Sequence, residues 1–467
     1  MKILNQQIFE NREAAALPGL MESGGLPALV SGLSGIHRVN LAAALYERLE
    51  LPLLIVCPDD SAAESFSRDL EAMTGEKVNT LYSRDFTFYS SLAASREAEQ
   101  KRLYVLNALR CGESPLTVAT VSALMQRTIP PQTLIKAAFT VKDGESCPPE
   151  ELERALVRCG YTRCEQVEGA GQFSRRGGIV DFFSPSYPEP VRIEFWGDDI
   201  DSMGFFDVKT QRRTESVEAC RILPAAESLA TLATGGTEAL TEALTAAADK
   251  CSRHKSSQQL RELEQTLRTD IERLRQNVKL EYADRYMPFM YEKASGADFI
   301  PEEAVVFIDQ PPRCADRARG FIKQLGEDVG ELVKRGILAT GAPSFRISWE
   351  ELTSVLSGHA VYMADAFTVG RYPVEPKTLV SIPAKQLPSY AGSVKTAAED
   401  VSAYLKQGFR VVVLAGDMRR AELLQSFLKD SGIVAYVREK LERLPEEGCC
   451  TISVGGMSAG MEYPGIK

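Results

Sequence analysis

The 467-residue sequence predicts a multidomain α/β protein: a parallel-sheet domain interrupted by a small β-rich domain, then a second, smaller α/β domain. Three observations carry this reading. From Leu26 to Leu124, apolar strand-like runs alternate with helical periodicity, the pattern of a βαβ series. Tyr161 to Pro224 is instead short-runned, aromatic and β-branched, with turn residues between the runs. The α/β alternation then returns twice, around "AVVFIDQPP" and beyond the proline-bearing "GRYPVEPKTLVSIPAKQLPSY". These shifts divide the chain at 1–127, 128–225, 226–370 and 376–467, in keeping with ~100–200 residues per domain.

In chain order, "LPALVSG" reads as a strand and Arg38 to Leu49 as a helix. "LPLLIVCP" follows as a strand, Ser61 to Met73 as a helix and "KVNTLY" as a strand. The helix "SREAEQKRLYVLNALRCG" then leads into the strand-like "PLTVATVSAL", and "QRTIPPQTL" supplies a breaker. A helix near Glu150 to Cys159 precedes the β-rich runs "GQFSRRGGIVDFFSP", "PVRIEFWGDDIDSMGFFDV" and "ESVEACRILPA". Leu260, Leu263, Leu267, Ile271 and Leu274 recur at three- and four-residue spacing, marking one long helical stretch. After "AVVFIDQPP" come two helical patterns and "HAVYMADAF". The last segment runs helix, "FRVVVLAG", helix "MRRAELLQSFLKDSG", "IVAYV" and "CCTISVGG". No helix follows to cover that sheet, so the terminal domain is expected to be cut short.

Composition narrows the function. No run of about 18 uncharged apolar residues occurs, and "MKILNQQIFENREAA" lacks an apolar signal core, so a cytoplasmic protein without membrane contact is expected. The ten cysteines are scattered and the adjacent pair Cys449 and Cys450 suits neither a disulfide nor a metal knuckle; reduced thiols are expected. His37, His254 and His359 lie far apart, so no metal site is expected. A net charge of −10 excludes a surface built throughout for polyanions and confines any nucleic-acid contact to local patches such as Arg212–Arg213 or Arg419–Arg420.

"SGLSGIHRVN" stands where a nucleotide-binding P-loop of the RecA/helicase kind belongs. Such a loop needs glycines for backbone approach to phosphate, a Lys for the β/γ oxygens and a hydroxyl for Mg²⁺. Gly32 and Gly35 keep the frame, but His37 replaces the second essential glycine, Arg38 the Lys and Val39 the hydroxyl residue. On its own this reads as a glycine-containing strand-to-helix turn. "AVVFIDQPP" adds a second test: Asp309 follows an apolar strand as a magnesium-holding Asp does, yet Gln310 stands where a general base belongs. An amide neither gains nor loses a proton near neutrality. The paired losses predict a degenerate P-loop domain retained for its shape.

At this point the chain resembles a known family. Tyr161–Ala225, with "FSRRGGIVDFF", "RIEFWGDDIDSM", "FFDVKTQR" and "LPAAE", resembles the β-rich domain shared by the excision-repair protein UvrB and the transcription-repair coupling factor (Mfd) family, and favours the latter. "LVSGLSGIHRVN", "VATVSALMQR", "ADFIPEEAVVFIDQP" and "ISVGGMSAGMEYPGIK" extend the resemblance over essentially the whole chain. It implies a UvrB-like module and a third α/β domain from the N-terminal part of such a bacterial factor. It further implies recruitment of UvrA through arginines of the β-rich domain, with no ATP hydrolysis here. ATP, Mg²⁺, RNA polymerase and double-stranded DNA would be engaged by a translocase outside this chain. A monomer is expected. The stretch between "TLYSRDFTFYSS" and "LAASREAEQ" is too short for the DNA-clamping hairpin of UvrB.

Carried onto this sequence, the UvrA contact falls on Arg163 in "YTR", Arg176 in "SRRGG", and Arg192 with Glu194 in "VRIEF". Arginine suits such a surface because its planar fork binds carboxylates in bidentate fashion. Strand alternation puts Arg192 and Glu194 on one face, opposite Val191 and Ile193. Ser174 stands where UvrB has an Arg, whereas Phe173 and Phe182 read as core. Two other readings remain at this stage. One is an active superfamily-two helicase-type ATPase, suggested by "FRVVVLAGDMRRAELLQSFLKDSG". The other is a purely structural scaffold.

Overall fold

A computed structural model describes residues 1–89, 96–253, 258–339, 344–388, 390 and 392–466. His254 and the junction at residues 90–95, where the short connection was expected, lie outside the described residues. Among the described residues, seven parallel strands form the largest sheet. Their order is Thr378–Ser381, Ala28–Ser31, Ala360–Ala364, Val305–Asp309, Leu53–Cys57, Leu116–Thr120 and Asn79–Leu81. The Val-, Ile- and Leu-rich strands Leu53–Cys57 and Val305–Asp309 are buried at every position, as strands covered on both faces must be. Alternate residues feed two cores. Val30, Ile55, Phe307 and Tyr362 meet helices Gly35–Leu49 and Asp60–Thr74 on one face. Leu29, Val56, Ile308 and Val361 meet helices Arg96–Arg110 and Pro311–Lys334 on the other.

Several boundaries differ from the sequence reading, each for a local reason. The helix expected from Arg38 starts at Gly35, because Ser34 is extended and the chain turns directly into the helix. The strand read through "PLTVATVSAL" stops at Thr120, whose hydroxyl accepts from the Ala123 N–H and caps the short helix Val121–Met125. Within the expected proline-bearing linker, Thr378–Ser381 pairs along Ala28–Ser31 as an edge strand of the large sheet. The prolines lie outside the paired residues, where no ladder donor is lost. A helix unread from the sequence, Gly236–Ser252, packs along Gln258–Arg275, which presents Leu263, Leu267, Ile271 and Leu274 to the core.

The β-rich region forms a six-stranded sheet ordered Arg213–Ser216, Asp199–Phe206, Val191–Trp196, Ile179–Phe182, Gln172–Arg176, Thr162–Arg163. Helix Pro149–Arg158 covers one face, where Leu152 and Leu156 join Phe173, Val180, Phe182, Val191 and Ile193. Phe173 and Phe182 are thus core, as expected. Ile129 and Leu134, inside the 128–225 range, pack instead into the large core, and the separate β-rich core begins with the strand Phe139–Lys142.

A buried ion cluster lies in the body, with Glu227 just beyond the last residue of the β-rich core. Arg84 makes a bidentate bond to Asp284 (2.8 and 2.9 Å) and a third bond to Glu227 (2.9 Å), while Arg102 lies 3.3 Å from Glu227. Glu99 shares Arg84 at 3.5 Å, and burial pushes its pKa up to about 7. The terminal domain has parallel strands in the order Val411–Ala415, Cys450–Val454, Ala435–Arg438, with helices Val394–Lys406 and Met418–Asp430. The ten cysteines are free thiols. No helix among the described residues is long and apolar enough to cross a membrane.

Candidate functional site

The parallel sheet brings the turn after Ser31 together with Asp59 and Asp309, past the carboxyl ends of their strands, where open α/β sheets bind ligands. Gly32 adopts φ +87°, and a Cβ there would stand 2.4 Å from the Ile382 carbonyl oxygen. The close approach of the edge strand therefore requires this glycine without any phosphate. Gly35 opens the helix, and Val39 is buried in the core. Arg38 turns inward: its Nε donates to Asp309 Oδ1 at 2.5 Å and its Nη1 to the Leu33 carbonyl at 3.0 Å. Gln310, at φ +53°, donates from its amide to Asp309 Oδ2 at 3.1 Å. Both Asp309 oxygens are thus taken by side chains of this chain. Arg313 and Arg317 in turn hold Asp59 at 3.2 and 2.8 Å.

The C-terminal segment lies over the same helices. His37 is fully buried, its Nδ1 2.7 Å from Ser34 Oγ and its Nε2 3.2 Å from the Glu462 carbonyl oxygen. Its ring meets Tyr463 edge-on at 5.0 Å, and burial lowers its pKa. The Tyr463 hydroxyl donates to Asn40 at 2.7 Å, and Asp69 accepts from the Ser458 N–H at 2.8 Å and hydroxyl at 2.5 Å. A polar cavity of about 320 Å³ persists between Arg38, Asp59, Gln310, Arg313 and Ser458.

On the β-rich domain the four residues expected to bind a partner divide between two faces. Arg163, on the edge strand, pairs with Glu153 of the covering helix at 2.8 Å, and Arg175 reaches Glu153 and Glu150 on the same side. Arg176, Arg192 and Glu194 share the opposite, helix-free face, as the registers Ser174↔Asp181↔Arg192 and Ile179↔Glu194 require. Val191 and Ile193 are buried on the helix side, matching the expected alternation. Asp181, 1% exposed, organises the open face. Arg192 grips it with Nε at 2.7 Å and Nη2 at 2.9 Å, and Arg176 adds Nη2 at 3.0 Å. The bond to Asp181 raises the Arg192 pKa, and its guanidinium also lies 4.6 Å from the Phe206 ring centroid.

Sequence reasoning missed Asp181 and Trp196 on this face. Asp181 sits between apolar residues in "GGIVDFF", and Trp196 continues the alternation of Arg192 and Glu194 in "VRIEFW". Extending that period by one step would have found the tryptophan.

Residues 139–227 match the UvrB interaction domain family, the same β-rich unit just described. Over 464 residues, 98% of this chain, the sequence is 28% identical to the transcription-repair-coupling factor of Bacillus subtilis. Over 451 residues, 94% of the chain, it is 25% identical to that of Staphylococcus aureus. The chain corresponds to an N-terminal region of transcription-repair-coupling factors. It spans 39% and 37% of the length of those two relatives. The match to the UvrB interaction domain starts at Phe139, where the separate β-rich core also starts.

Proposed function

We propose that this chain is an adaptor module of transcription-coupled repair whose β-rich domain docks UvrA, and whose α/β body neither binds nor hydrolyses ATP. The observation that carries the docking reading is the pair Arg176 and Arg192. One buried carboxylate holds both on the helix-free face of the domain that matches the UvrB interaction family. Arg176 is 55% exposed at its side chain, so its remaining donors are free for an acidic partner surface. Arg163, 60% exposed, adds a second cation at the edge strand. The body supports the ATP-independent reading through Arg38 and Asp309. A nucleotide would need that cation for phosphate and that carboxylate for Mg²⁺, whereas the two neutralise each other. ATP and Mg²⁺ do not fit these residues.

In the longer factor, translocation on double-stranded DNA and displacement of stalled RNA polymerase would belong to other domains. This module would bring UvrA to the lesion. Titration of UvrA against the chain tests the docking: Arg176→Ala or Arg163→Glu weakens affinity about fivefold or more. An unchanged affinity in the folded double variant sinks the assignment. Calorimetry with MgATP tests the rest, and micromolar affinity would restore the helicase-type reading.

A further inference from the structure

Trp196 is 82% exposed, and its side chain makes no hydrogen bond or ring contact among the described residues. The chain's only other tryptophan, Trp349, packs against the large core. A single exposed apolar side chain is ordinary on a protein surface, so exposure alone assigns nothing. Its setting does. Trp196 continues Arg192 and Glu194 along one strand, on the face away from helix Pro149–Arg158, and pairs across with Asp199. On the adjoining strands Arg176 pairs with Ile179 and Ile179 with Glu194, so arginine, isoleucine and glutamate lie in one row beside the ring.

The platform is fixed on both sides. The Phe195 N–H donates to the Gly178 carbonyl at 2.8 Å, and the Cys147 N–H donates to the Asp198 carbonyl at 2.8 Å, clamping the turn that follows Trp196. Ser146 also bridges to Asp199. Little backbone freedom is left to lose when this ring is covered, which lowers the entropic cost of binding. Tryptophan and arginine on a rigid, locally uncovered face are the residue types that carry most interface energy.

We infer that Trp196 is the aromatic anchor of the UvrA interface, inserting into an apolar recess whose rim carries carboxylates for Arg176. This inference rests on the proposed docking of UvrA to the same face. The test is a titration of UvrA against the full chain and its Trp196→Ala, Trp196→Phe and Arg176→Ala variants, each checked for an unchanged thermal transition. The expected result is a loss of about 30-fold for Trp196→Ala, a smaller loss for Trp196→Phe and at least about fivefold for Arg176→Ala. If Arg176→Ala weakens binding while Trp196→Ala stays within twofold, the anchor is overturned and the docking stands. If neither variant moves the affinity, the docking face itself is wrong and the anchor falls with it.

Discussion

The cleft beside Arg38 and the open face of the β-rich sheet are both organised by arginine meeting a buried aspartate, yet they do opposite things. In the cleft the pair is closed: Arg38 and Asp309 have side chains 9% and 3% exposed, and a second N–H of Arg38 is spent on a backbone carbonyl. On the sheet the aspartate is equally buried, but Arg192 and Arg176 are 17% and 55% exposed at their side chains. The anion is sunk into the sheet and the cations stay at the surface. The pair itself therefore does not define a site. What matters is whether the guanidinium is exposed enough for its unused donors to meet a partner.

The largest effect expected from breaking this comparison is on stability. Asp309→Ala leaves the Arg38 guanidinium buried and without its anion, a change that costs about 3–5 kcal/mol when one member of a buried pair is lost. Urea unfolding of the large domain reads it. A loss below ~1 kcal/mol would show that the cleft is wet enough to solvate Arg38. Under folding conditions UvrA affinity should not change, because the cleft is built from other strands than the docking face. Asp181→Asn is expected to be milder for stability and worse for binding. The amide keeps the shape but loses the charge that accepts three arginine donors, at about 1.5–3 kcal/mol for hydrogen bonds to a charged group. Arg176 and Arg192 then lose their fixed positions, so UvrA titration should weaken with it. Retained affinity would mean that the arginines need no common anchor.

How much of this could be read beforehand depends on range. Regular strands such as Leu53–Cys57 and Val305–Asp309 were legible because unbroken apolar runs have few other places to go. Arg192 and Glu194 on one face followed from period two alone. The strand Thr378–Ser381 was hidden by its proline-rich surroundings and by a partner, Ala28–Ser31, some 350 residues away in sequence. The same distance hid the reason for Gly32: the oxygen it makes room for belongs to Ile382. Likewise, nothing local in "YSRDF" signals that Arg84 gathers Glu99, Glu227 and Asp284. Motif spacing drew attention to His37, Arg38 and Gln310. Only the tertiary fold revealed that Arg38 and Gln310 both bond to Asp309 and that His37 meets the terminal segment.

That last point leads to the smallest predicted effect, on pH dependence. His37 is buried and neutral; with Nε2–H donating to the Glu462 carbonyl, its Nδ1 accepts from the Ser34 hydroxyl. Burial lowers its pKa below 6.5, so between the folded value and 6.5 the unfolded chain binds more protons than the folded one. Its contribution to stability is therefore present above pH 6.5 and lost as the pH falls from there through the folded value. Glu99 runs the other way, since a carboxyl raised to about 7 favours the folded state as the pH falls. The wild-type profile alone sums the two. The difference between wild type and His37→Gln, whose amide can still donate to Glu462, isolates the histidine. Thermal transitions between pH 5 and 8 should converge toward acid, with the wild type losing more. Parallel profiles would show that His37 does not titrate with folding, and that the terminal segment is held through Asn40 and Asp69 instead.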